Sequence, residues 1–241
     1  MSETFDHIIL NGRPGGGKSE LIDFIKKTPL EKRCELFHIG EMVEEDDFVW
    51  LWEKFVEDDL WESLGEKRIY SRTHEFGYVQ TTDDRLLDLC MKKFNVAVHE
   101  KYMKKPGFYD DHTVLLEFAR GKFDGGYRHA YELLDDDILK RSAILYINVS
   151  YAESRRKNEA RYHEALKGSI LAHKLPDESL ERFSSETDFE ELTGGRESGF
   201  IEVRGIKIPF VSMNNEPELK DGPELDARYS HALTTLKNLV K

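Results

Sequence analysis

The sequence predicts an α/β fold in three layers, a mostly parallel sheet with helices on both faces. Three observations predict it. Short apolar runs alternate with amphipathic stretches along the chain. The first apolar run leads straight into a glycine-rich turn, and that turn leads into residues at helical spacing. A length of 241 residues suits one large α/β domain. With no internal repeat, low-complexity segment or long linker, the chain reads as a single domain over 1–241.

His7-Ile8-Ile9-Leu10, ended by Asn11-Gly12, is a buried strand. After the glycine-rich loop, Leu21, Phe24 and Ile25 recur at helical spacing until Thr28-Pro29. Cys34-Glu35-Leu36-Phe37-His38-Ile39, closed by Gly40, reads as the second strand. Residues 42 to 64 read as a helix, with Val49, Trp52, Val56 and Leu60 inward and Phe48, Leu51 and Phe55 widening the face. Its acidic face (Glu45, Asp46, Glu53, Glu57, Asp58) is either solvated or the rim of a pocket. The stretch from Gly65 to Gln80, which includes Phe76 and Tyr78, is irregular and aromatic. Thr81 or Thr82 then caps a helix with Asp83 and Asp84 at its positive end, running through Leu87, Cys90, Phe94, Ala97 and Lys101 to Pro106-Gly107.

His112-Thr113-Val114-Leu115-Leu116-Glu117-Phe118 is the third strand. Gly125-Gly126 opens a helix with Tyr127, Ala130, Leu134 and Ile138 on one face. The run from Ala143 to Val149 is the fourth strand, and Ser150-Tyr151-Ala152-Glu153 is a capping box for a helix that Gly168 closes. Short helical pieces start near Asp177 and Ser185. Ile206-Lys207-Ile208-Pro209-Phe210-Val211 is the last strand, its proline marking an edge or an end. A final helix covers 224 to 240, with Tyr229, Leu233, Leu236 and Val240 inward. Residues 41–110 form a helical insertion between the second and third strands.

The net charge of −12 disfavours a general role in binding nucleic acid, itself a polyanion. Two cysteines without metal-ligand spacing, no apolar run of membrane-spanning length and an acidic N-terminus that resembles no secretory signal point to the cytoplasm and away from the membrane. The nine histidines show no zinc spacing, and no Gly-x-Ser-x-Gly elbow occurs. Oligomeric state is not legible.

The chemistry concentrates in Gly12-Arg13-Pro14-Gly15-Gly16-Gly17-Lys18-Ser19. Glycine, four residues, then Gly-Lys-Ser is a phosphate loop: its glycines let successive N–H groups point at phosphate oxygens, and the helix that follows adds a positive dipole end. Lys18 supplies charge to the terminal phosphates and Ser19 a hydroxyl ligand to Mg²⁺. The expected nucleotide is ATP with magnesium, held by residues 12–19 and by Glu20 directly after them.

The loop resembles that of the P-loop kinases, the superfamily of nucleotide, nucleoside and small-molecule kinases. Gly12, Pro14, Gly15, Gly17 and Lys18 match the adenylate kinase form, and the likeness is strong over 7 to 28. Glu20 departs from it, standing where many relatives have Ser or Thr. The resemblance implies the P-loop NTPase fold. It implies that Glu117, at the end of an apolar strand, holds magnesium with Ser19 or acts as base near the acceptor. Glu117-Phe118-Ala119-Arg120 is a loose version of the Glu-Arg pair of deoxynucleoside kinases, which would make Arg120 catalytic. Residues 150–199 take the place of an arginine-bearing lid, with Arg155, Arg156 and Arg161 as candidates for stabilising the transferring phosphoryl group; the same residues also read as a solvated helix face. Glu41, Arg72 and Arg85 lie where the acceptor would bind, though Arg85 reads equally as a partner of Asp84 or Asp88. Asn214, after the last strand, lies where such loops touch adenine.

These readings imply phosphate transfer from ATP to a small acceptor, with nucleosides and nucleotides among the candidates. A nucleotide-operated regulatory ATPase signalling to a protein partner is the alternative, and a binding module without turnover is a third. No Asn-Lys-x-Asp guanine motif and no Leu-Ser-Gly-Gly-Gln transporter signature is present.

Overall fold

The computed structural model describes residues 4–75, 77–82, 85–165 and 176–240, with no side chains for 161–165. The sequence expectations for Phe76, Asp83, Asp84, Gly168 and the side chain of Arg161 lie outside the described residues.

In chain order the elements are β1 (His7–Gly12), α1 (Lys18–Lys27), α2 (Leu30–Phe37), β2 (Glu41–Asp46), α3 (Asp47–Ser63), β3 (Ser71–His74), β4 (Gly77–Gln80) and α4 (Arg85–Val98). There follow β5 (His112–Phe118), α5 (Gly126–Leu133), α6 (Asp136–Lys140), β6 (Ser142–Asn148), α7 (Tyr151–Ala165), α8 (Asp177–Ser184) and α9 (Phe189–Thr193). The chain closes with β7 (Ser198–Val203), β8 (Ile206–Asn214) and α10 (Pro223–Leu239).

Six strands form one sheet in the order β2-β5-β1-β6-β8-β7. All neighbours run parallel except β7, which pairs antiparallel with β8. Side chains alternate across each strand. Ile9, Val114, Leu116, Phe118 and Ile144 therefore enter one core with Phe94 of α4 and Tyr127 of α5. Ile8, Leu10, Leu115 and Leu145 enter the opposite core with Leu21 of α1 and Leu233 of α10. Both faces are covered, so the central strands read as continuous apolar runs. Truncating a side chain such as Ile9, which is fully buried, to alanine costs about 2–5 kcal/mol.

The second strand lies elsewhere than its apolar pattern suggests. Residues 34–39 belong to α2 and the turn after it, and the edge strand is Glu41–Asp46. Docking decides this: Phe37 is buried with Tyr229 and Leu236 of α10 in one core cluster. The helix expected over 42 to 64 accordingly starts at Asp47, with the Asp46 carboxylate capping it by accepting from Phe48 N at 2.9 Å. The segment between β2 and β5 also holds an antiparallel hairpin, β3–β4, where the sequence suggested irregular chain. Asp58 of α3 secures that hairpin, its buried carboxylate accepting from the backbone N–H groups of Ile69, Tyr70 and Ser71 at 2.7–2.9 Å. These four bonds, counting the Ser71 hydroxyl, hold its carboxyl below the usual range although burial pulls the other way.

Two smaller differences follow from local chemistry. The helix expected from Gly126 to Ile138 breaks at Leu134, whose backbone is extended, and resumes as α6. Pro209 is not on an edge strand, because β7 flanks β8; it stands one residue before β8 begins to pair with β6, where its missing N–H costs no ladder bond. No helix among the described residues is long and apolar enough to cross a membrane.

Candidate phosphate-transfer site

β1 lies between β5 and β6, so the chain connections diverge on either side of its carboxyl end. Ligands of open α/β sheets bind in the crevice at such a point. The loop 12–17 leaves β1 there. Gly12 is required by close approach: its φ is +146°, and a Cβ would fall 2.6 Å from the carbonyl oxygen of Ile147 on β6. Gly17 is required at the helix start, at φ +108°, where a Cβ would fall 2.4 Å from Asn215 Nδ2. With glycine in the cap position, α1 begins without a side-chain cap. Uncapped first-turn N–H groups together with the helix dipole suit an anion.

The loop is held from four sides. Tyr127 Oη accepts from Gly12 N at 3.3 Å, Ser154 of α7 donates to Pro14 O at 2.6 Å, and Asn215 donates to Gly16 O at 2.9 Å. Arg13 donates to Ser184 O at 2.7 Å and Val149 O at 2.8 Å, so its side chain ties the loop to the end of α8 and to the end of β6. Lys18 is buried and donates to Gly12 O (3.1 Å) and Arg13 O (3.3 Å), with its Nζ 3.9 Å from Glu117 Oε1. Ser19 and Glu20 are exposed in the first turn. Ser19 lines the adjoining cavity, whereas Glu20 is coupled electrostatically to Tyr229 of α10.

That cavity, of about 270 Å³, runs from the loop to the segment between β2 and β5. Its charged floor is Lys18, Asp46, Asp47, Glu117 and Arg120. Asp46 ends β2 and stands opposite Glu117 in the parallel ladder. Burial, then the negative charges of Glu117 and Asp47, push its carboxyl up to about 7, against the Phe48 N–H and Lys18. Asp47 is buried and pairs with buried Arg120 at 2.6 Å. Arg120 also donates to Ala119 O at 2.7 Å and lies over the Phe118 ring. Ser19 and Glu117 offer hard oxygen donors. They fit a Mg²⁺ that arrives with a polyphosphate and needs one or two protein carboxylates. Among the described residues no three His, Cys, Asp or Glu side chains gather as a self-contained metal cage.

The other expected site residues stand apart. Glu41 begins β2 and faces His112 in the ladder, about 17 Å from the carboxyl end of the sheet, because the strand begins rather than ends there; Arg33 lies 3.8 Å from it. Arg72 is exposed and bonded to Glu178 of α8, and Arg85 opens α4 exposed; neither lines the cavity. Arg155 and Arg156 are exposed on α7, the first near Glu159 and Asp177, the second bonded to Glu153 and Glu218. Among the described side chains of that helix the inward cation is Lys157, buried and 3.2 Å from Glu218, and the next residue, Asn158, lines the cavity. Asn214 is exposed and bonds within its own turn to Glu216; the neighbouring Asn215 is the one that reaches the loop. The capping box is also shared: Ser150 Oγ accepts from Glu153 N, but the Ser150 N–H goes to Glu216, since Glu153 is held by Arg156.

Asp47, Lys157 and Asn215 are thus residues beside the loop and cavity that sequence reading did not assign to a site, while Asp46 was read only as part of an acidic face or pocket rim. Helical spacing offered a signal for one: Ser154 and Lys157 are three apart and share a face with Asn158, away from Arg155 and Arg156.

No protein-family model matches the sequence, and a comparison with curated proteins finds no match. Among solved structures, the chain is similar to the crystal structure of APE1195, at 13% identity over 99% of this chain and 98% of that one, with a TM-score of 0.45. It is also similar to a gluconokinase from Sinorhizobium meliloti 1021, at 14% identity over 99% of this chain and 97% of that one, with a TM-score of 0.46. The chain's own sheet order, the loop leaving β1 at the switch point and the acidic end of β5 beside Lys18 make this a P-loop NTPase-type fold.

Proposed function

We propose that the chain is a phosphotransferase that moves the terminal phosphate of ATP to a hydroxyl of a small acceptor. The observation that carries this is a cavity that opens at the phosphate loop and continues past it toward α3 and the β3–β4 hairpin, with Asp46 beside Glu117 and Lys18 on its floor. A pure hydrolase needs room for one water beside the donor; this cavity continues beyond the loop to Trp52, Tyr78 and Gln80.

In this reading the loop backbone and Lys18 hold the donor phosphates. Ser19 and Glu117 would hold Mg²⁺, which supplies charge neutralisation to the transferring group. Asp46 accepts the proton of the acceptor hydroxyl. The acceptor oxygen forms the new bond to the γ-phosphorus, the bond from that phosphorus to the β,γ-bridging oxygen breaks, and ADP leaves. Arg120, committed to Asp47, positions the floor and does not itself clamp phosphate. Lys157, buried on α7, lies beside Gly15 and Gly17 of the loop.

The test is ATP consumption with magnesium, alone and against a panel of small hydroxylated metabolites. ADP release that depends on one acceptor, with a phosphorylated product, supports the proposal. ADP release that no acceptor stimulates favours a regulatory ATPase acting on a protein partner.

A further inference from the structure

Resting on the phosphotransferase reading, we propose that the acceptor is an uncharged molecule joining a flat ring to a primary hydroxyl, of nucleoside type, and that phosphate- or carboxylate-bearing acceptors are excluded. The juxtaposition that points to it is an aromatic wall standing over an acidic floor whose arginine is already bound.

The wall comes from α3 and the β3–β4 hairpin. Trp52 packs edge-on against Tyr78 with ring centroids 5.0 Å apart, and Phe48 and Phe55 flank it at 5.9 and 6.5 Å. Phe183 of α8 lines the same cavity and packs against the same cluster as Trp52, Phe55 and Tyr78. Rings so placed offer faces for a planar group at little conformational cost. Gln80 and Ser179, neutral polar side chains that are both buried, line the same cavity and suit the edge of a heterocycle.

The floor sets the charge. Asp46, Asp47 and Glu117 face the cavity together with Lys18 and Arg120. Lys18 serves the donor, and Arg120 is spent on Asp47 and the Ala119 carbonyl. Of the cations of the hairpin wall, Arg72 is bonded to Glu178, and Arg68, over the Tyr78 ring, is bonded to Asp59 and Glu62. An anionic acceptor brought into this cavity would meet carboxylates without a matching cation among the described lining residues, and a buried unpaired charge is heavily penalised. A neutral acceptor meets no such penalty, and its hydroxyl is directed to the Asp46 end by the apolar wall opposite.

The test uses the full chain with nucleosides, their 5′-monophosphates and gluconate as probes. Transfer from γ-labelled ATP and quenching of tryptophan fluorescence are read side by side. The expected result is transfer to at least one nucleoside, with kcat/KM about 100-fold or more above that for any monophosphate or for gluconate. The same nucleoside should quench fluorescence, and the quench should fall away in Trp52→Phe, which keeps Trp50 and Trp61. Preferred transfer to a monophosphate or to gluconate overturns the acceptor class and leaves the phosphotransferase reading standing. Nucleoside quenching without transfer overturns the phosphotransferase reading instead. A quench that survives unchanged in Trp52→Phe overturns the placement of the ring.

Discussion

Asp46 and Glu117 stand side by side at the ends of two adjacent parallel strands, and burial, with the negative charge of Glu117, holds the Asp46 carboxyl up at about 7. A carboxylate with that proton affinity is a stronger base than an exposed aspartate and is poised near neutral pH. Asp46→Asn should lower kcat by about 10²- to 10⁴-fold while ATP affinity changes little. The sign for pH follows from the upward shift: the base is active when ionised, so the wild-type rate should fall as pH drops through about 7, and Asp46→Asn should lose that limb. Steady-state rates between pH 5.5 and 8.5, roughly the range that brackets the shifted carboxyl, check both; an Asn variant with wild-type kcat removes Asp46 from the chemistry.

Lys18 is folded back on the carbonyls of Gly12 and Arg13, so it is preorganised at the loop rather than needed to hold the core together. Lys18→Ala should therefore abolish nucleotide binding or turnover and leave the fold intact. Calorimetric titration with ATP and far-ultraviolet circular dichroism decide it. A folded variant with unchanged affinity and activity would refute the central reading.

The Asp47–Arg120 pair is almost fully removed from solvent. Removing one partner strands a buried charge, so Arg120→Leu should destabilise the protein by about 3–5 kcal/mol. The double change Asp47→Leu with Arg120→Leu should cost clearly less than the sum of the single changes, because neither charge is then left alone. Urea denaturation of the four proteins in the cycle measures the coupling; simple additivity would mean that the pair is not a unit.

His7, at the start of β1, is buried with its Nε2 2.7 Å from Tyr109 Oη. Burial pushes its imidazolium down to about 4, outweighing the Ile138 carbonyl that favours the charged form. The folded pKa lies below that of the unfolded chain. As pH falls below about 6.5 the unfolded chain takes up the proton first, and stability is lost progressively until about pH 4. Between pH 7 and pH 5 the loss from this group should be about 2 kcal/mol. Denaturation midpoints at the two pH values, in wild type and in His7→Gln, test it; the slope assigned to His7 should be missing from the variant.

The sequence by itself determined the phosphate loop and its place. Gly12, Gly15, Gly17, Lys18 and Ser19 are a local pattern, and the apolar strand before them and the amphipathic helix after them are legible from neighbouring residues. The strand ending in Glu117 was legible for the same reason, since a fully buried parallel strand is apolar along its length. Tertiary structure decided the rest. Glu41–Asp46 is an edge strand, only partly buried, so its acidic residues carry no apolar period and read as the start of a helix. Residues 34–39 alternate like a strand, yet α2 packs against α10 and is helical. Arginines on α7 looked like the phosphate-facing groups because charge is visible in a sequence and burial is not; packing against the loop turned Lys157 inward and left Arg155 and Arg156 in solvent. The acidic floor exists only because the end of β2 is laid beside the end of β5, a juxtaposition of residues 46 and 117 that depends on the strand order of the sheet. Backbone patterns are set by neighbours in the chain, whereas a site that mixes charges from distant strands is set by which strands pair.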